Sequence, residues 1–96
     1  MDGARSVEPK LNGKSILIVD HNKTNRRILE LQTKDWGMIP TATMTSQEAL
    51  SLVRSGERFD VAIPEMDMPK MSGLALGKEI RRYNKTMPLL MLAFAG

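Results

Sequence analysis

The chain has no cysteine, which excludes disulfide staples and cysteine-ligated metal and accords with a reducing, cytoplasmic setting. Aromatic residues make up only 4% of the 96 positions. Basic residues outnumber acids by little, 14 to 11 for a net charge of +3, and the two are interspersed. A basic patch interleaved with stacking rings is therefore missing, and no nucleic-acid partner is expected. Lys23, Arg26 and Arg27, or Lys78, Arg81 and Arg82, read as solvated helix faces unless strongly salt-dependent DNA binding shows otherwise. No apolar run reaches the length of a bilayer span; one of the longest covers residues 88–95, and the polar start has no signal-peptide core. The chain is thus expected to make no membrane contact. GxxxxGK[ST], GxGxxG, GxSxG and HExxH are all absent, so a standard enzyme is not expected.

What is present is a 42% hydrophobic chain long enough for one small core. Residues 1–13 are polar and carry Gly3, Pro9 and Gly13, which predicts a tail or linker, with the domain over 14–96. Ser15-Ile16-Leu17-Ile18-Val19 is a short, continuous apolar run that suits a strand buried on both faces. A helix is predicted over 23–36, with Asn22 as cap, Gly37 as stop, and Ile28, Leu31 and Trp36 near one face. The pattern repeats with a Thr-rich strand over 38–44 and the capping box Thr45-Ser46-Gln47-Glu48, which opens a helix through Arg54 that Gly56 closes. A third strand over 59–65 and a loop over 66–71 follow. Ser72 then caps a helix with Leu76, Ile80 and Tyr83 on one side, and 89–94 is a fourth apolar strand.

Alternating strands and helices of this kind predict a doubly wound α/β fold around a parallel sheet. Ligands of such sheets bind beyond the carboxyl ends of the strands, which directs attention to Asp20, His21, Glu65, Met66, Asp67, Ala93 and Phe94. Asp20 and Glu65 in one crevice would suit a hard cation such as Mg²⁺. The plainer alternative makes Asp20 and Asn22 turn or cap residues and Glu65 a solvated carboxylate.

Residues 16–22 (ILIVDHN), 24–29 (TNRRIL) and 66–73 (MDMPKMSG) together resemble the receiver domains of two-component signalling, over about 14–96. Residues 25–29 and 11–14 are most similar to receivers attached to hybrid sensor histidine kinases. The resemblance implies a flavodoxin-like fold with strand order 2-1-3-4, ending before the last strand, the last helices and the family's pocket lysine. It also implies a phosphoryl-accepting pocket that this chain matches poorly. Asp20 keeps the first of two adjacent metal-binding acids, but the second position is His21. The acceptor falls on Glu65, one methylene longer than aspartate, and the hydroxyl that contacts the phosphoryl group falls on Ala93. A shift of the nucleophile by about 1 Å costs on the order of a hundredfold in rate. Any Mg²⁺ would be weakly held by Asp20, Glu65 and Asp67, and no other cofactor is expected.

The resemblance thus implies a degenerate receiver, a regulatory or protein-interaction module. Its expected partners are a histidine kinase or other domains of the same signalling protein. The alternative is a phosphorylation-competent receiver that uses Glu65, or Asp67 or Asp20, with an atypical metal site. Two structural expectations complete the picture. Pro64 should kink or bulge the third strand, and an open fourth-strand edge should favour self-association.

Overall fold

The computed structural model describes residues 10–65, 68 and 70–89. Three parallel strands, β1 (Ser15–Val19), β2 (Ile39–Thr43) and β3 (Val61–Pro64), form a sheet in the order β2-β1-β3. They alternate with three helices, α1 (Lys23–Asp35), α2 (Ser46–Arg54) and α3 (Gly73–Tyr83). The expected order 2-1-3 is therefore found, with β1 in the centre. Leu89 forms a parallel bridge with Ala62, and the Ala62 amide donates to the Pro88 carbonyl at 3.0 Å. The chain thus returns to the side of β3 away from β1. The rest of the predicted fourth strand, and the edge through which self-association was expected, lie outside the described residues.

The continuous apolar run of β1 is explained by cover on both sheet faces. Leu17 and Val19 pack with Ala49, Leu50 and Val53 of α2 and Leu76 and Ile80 of α3. Ile16 and Ile18 point the other way, to Met38 and Ile63, with Leu11 and Leu29 packed against them. Successive side chains of a strand alternate between faces, so a strand with both faces covered must be apolar throughout. β2 has Thr and Pro because only one of its edges is paired among the described residues, and proline is tolerated on such an edge.

The caps fall where the sequence places them. Asn22 Oδ1 accepts from the Asn25 amide at 3.0 Å, and Ser72 Oγ from the Ala75 amide at 3.2 Å. Thr45 and Glu48 complete a reciprocal capping box. Gly37 and Gly56, at φ 86° and 95°, end the first two helices in the left-handed region.

Three expectations are corrected. In α1 the sheet-facing row is Leu29 and Thr33, a four-residue step, while Ile28, Leu31 and Trp36 are substantially exposed. Thr33 is tolerated inside because its hydroxyl donates to the Leu29 carbonyl at 2.8 Å. In α3, Leu76 and Ile80 are fully buried but Tyr83 is half-exposed. Its hydroxyl accepts from Arg54 Nε at 3.1 Å and its ring lies 5.5 Å from that guanidinium, so it braces α3 against α2.

The third correction concerns Pro64. Pairing with β1 runs Ile16↔Val61, Leu17↔Ala62, Ile18↔Ile63 and Val19↔Pro64 with no extra residue, so there is no bulge. Successive residues of a strand direct their backbone groups to opposite edges, so alternate residues share an edge. Glu65 donates to Val19 on the β1 side and Ala62 donates to Pro88 on the other. Pro64 shares the parity of Ala62, so its missing N–H belongs to the outer edge and the β1 ladder is untouched.

Candidate functional site

The candidate site is assembled by the β1–β3 register. Because Val19 is paired with Pro64, the next residues of each chain, Asp20 and Glu65, emerge side by side at the carboxyl edge of the sheet. The Glu65 amide donates to the Val19 carbonyl at 2.8 Å, and the Asp20 amide to the Thr43 carbonyl at 3.1 Å. The backbone beneath the site is thereby held from both neighbouring strands.

Asp20 is 1% exposed. Its Oδ1 accepts from the Asn22 amide at 2.9 Å, the side-chain-to-backbone turn anticipated as the plainer role. Its main-chain carbonyl accepts from Arg26 Nη1 at 2.9 Å, so Arg26 supports the site and is not merely a solvated cation. Asp20 Oδ2 is buried with no hydrogen-bond partner. Burial pushes this carboxyl above its ordinary pKa. The Asn22 amide opposes the shift, the nearby Glu65 carboxylate adds to it, and His21 opposes it.

Glu65 is not a solvated loop carboxylate: its side chain is 11% exposed. Its Oε2 lies 2.7 Å from His21 Nδ1, on a ring whose side chain is 44% exposed. Because a carboxylate only accepts, this contact requires the proton on Nδ1. The sequence marked His21 as a lost acid ligand but did not identify it as the partner of Glu65. The signal was the parallel register, which sets the residues after Val19 beside those after Pro64.

Asp20, His21 and Glu65 each offer a donor atom within 4.8 Å of the others, and they are the only such trio among the described residues. Asp67 and Ala93, two further predicted site residues, lie outside the described residues. The donor set does not fit Mg²⁺ well. That ion demands near-octahedral oxygen coordination, whereas one of the three donors here is an imidazole nitrogen already bonded to a carboxylate.

Comparison with known proteins gives this geometry a context. The family model "Response regulator receiver domain" matches residues 16–96. Histidine kinase 2 of Arabidopsis thaliana is 31% identical over 81 residues, which cover 84% of this chain and 7% of that protein. The two-component response regulator ARR22 of Arabidopsis thaliana is 34% identical over 83 residues, 85% of this chain and 58% of that protein. Among solved structures, the receiver domain of the histidine kinase CKI1 from Arabidopsis thaliana, complexed with Mg²⁺ and BeF₃⁻, superposes with a TM-score of 0.79 at 25% identity. That match covers 94% of this chain and 72% of the other. The chain therefore spans only a small part of the histidine kinase it matches and just over half of the response regulator.

Proposed function

The chain belongs to the response regulator receiver domain family of two-component signalling proteins, and from that premise we propose that it is a pseudo-receiver that regulates by contact without accepting a phosphoryl group. The observation that carries the proposal is the 2.7 Å bond between His21 Nδ1 and Glu65 Oε2. A nucleophilic carboxylate must present a free oxygen in line with the incoming phosphorus, and phosphoryl transfer depends almost wholly on positioning and charge neutralisation. Here one of the two oxygens of the acceptor-equivalent carboxylate, Oε2, is engaged by an imidazole where the family has an acid. The longer Glu65 side chain and the alanine at position 93 weigh the same way.

The module is proposed to be a non-enzymatic, cytoplasmic component of a phosphorelay protein. Its partners are a histidine kinase or other domains of the same signalling chain. Among the described residues no helix is long and apolar enough to cross a membrane. With a small-molecule or kinase phosphodonor and Mg²⁺, intact mass is expected to stay at that of the unmodified chain. Addition of one phosphoryl group would overturn the proposal in favour of a competent receiver acting at Glu65.

A further inference from the structure

We propose that a cleft at the amino edge of the sheet binds a hydroxylated organic phosphate of mononucleotide size. The cavity measures about 600 Å³ and lies between residues 56–60, which follow α2, and residues 83–86, at the end of α3 and beyond it, with Ser15 beside them. Small-ligand sites commonly enclose about 300–1,000 Å³. Ser15 opens β1 whereas Glu65 follows β3, so this cleft and the Glu65 pocket sit at opposite edges of the sheet.

The hydrogen bonds already made decide what the cleft can take. Asp60 is committed to the Ser15 amide and hydroxyl. Asn84 Oδ1 accepts from the amides of Thr86 and Met87 at 3.2 and 3.1 Å, which leaves its Nδ2 to donate. The Tyr83 hydroxyl accepts from Arg54 Nε, which leaves its proton to donate. Arg58 and Lys85 are exposed, and neither is in an ion pair among the described residues. Glu57 is the one lining acid whose side chain makes no bond among them. Two unpaired cations and two neutral donors against one acid favour an anion. A phosphate monoester, with a charge of about −1.5 to −2 at neutral pH, suits Arg58 and Lys85, and a guanidinium can hold two of its oxygens. Glu57 then accepts from hydroxyls on the body of the ligand. Buried Val53 and Phe59, with the half-exposed Tyr83 ring, supply apolar surface for that body.

Titration of the chain with AMP, adenosine and inorganic phosphate in phosphate-free buffer tests the assignment, read by calorimetry and by amide chemical shifts. AMP is expected to bind one to one and to move the amides of Gly56, Phe59, Asn84 and Thr86 while leaving those of Asp20 and Glu65 in place. Adenosine and inorganic phosphate should each bind at least tenfold more weakly than AMP, because each lacks half of the contacts. R58A/K85A removes only exposed side chains and is expected to weaken AMP by about tenfold or more, a loss on the order of 1.4 kcal/mol. R27A/K34A, which removes the same charge from exposed positions of α1, should leave AMP affinity unchanged. No response to AMP at about 5 mM, shifts centred on Asp20 and Glu65, equal affinity for adenosine or inorganic phosphate, undiminished affinity in R58A/K85A, or an equal loss in R27A/K34A would each overturn the proposal. No phosphoryl transfer enters these measurements, so their outcome is separate from that of the pseudo-receiver proposal.

Discussion

Two aspartates mark the opposite ends of the central strand, and they are treated in opposite ways. At the start of β1, Asp60 is exposed. Its Oδ2 accepts from the Ser15 amide at 2.8 Å and lies 3.2 Å from the Ser15 hydroxyl. These bonds, led by the amide, hold its pKa below the ordinary value of 3.8. At the end of β1, Asp20 is buried with one oxygen unpartnered, and burial pushes its pKa above that same value. One end is satisfied and wet, as a structural tie between β1 and the segment leading into β3 should be. The other is dry and incomplete. Perturbed, unsatisfied groups of the second kind concentrate at functional sites, so the contrast locates the working end of the sheet without reference to any relative.

The comparison is broken most severely by removing what the two ends share. Leu17 is fully buried in the middle of β1, and Leu17→Ala is expected to cost about 2–5 kcal/mol in urea denaturation. Amide exchange should quicken at both ends alike; quickening at one end only would show that the ends are not carried by one cooperative sheet. A smaller effect sharpens the contrast. D20N at neutral pH, in chelator-containing buffer, is expected to stabilise the chain by on the order of 1 kcal/mol, because a neutral amide replaces a buried, underpartnered carboxylate. Destabilisation by D20N would mean that Oδ2 is satisfied in solution. The smallest effect has the opposite sign. D60N should lower the melting temperature slightly at neutral pH. The depressed folded pKa means that the contribution of Asp60 is present above 3.8 and is lost as pH falls through the folded value. The gap between wild type and D60N should therefore close below pH 3.8, and a gap that widened there would contradict the Ser15 assignment.

Much of the fold was legible because local signals agreed. The apolar run before Asp20, the Thr45–Glu48 box and the stops at Gly37 and Gly56 each specify an element with short-range chemistry, and all reappear in the structure. The readings that failed depend on what packs against what. Ile28, Leu31 and Trp36 looked like the inner face of α1, yet Leu29 and Thr33 meet the sheet. No short-range pattern favours a buried threonine. Pro64 looked disruptive because the side of β3 to which its absent donor belongs is set by pairing, not by sequence. At the site, Asp20, His21 and Glu65 were legible from their places after strands, and Asp20 and Glu65 were expected in one crevice. The engagement of Glu65 by His21 and the support from Arg26 needed the register.

The central claim is that the Glu65 pocket is chemically closed to phosphoryl transfer because several of its positions have changed together. The most direct test treats the wild type and the triple variant H21D/E65D/A93T side by side with phosphodonor and Mg²⁺ and compares their intact masses. The wild type is predicted to remain unmodified while the triple variant gains one phosphoryl group. A phosphorylated wild type would contradict the account.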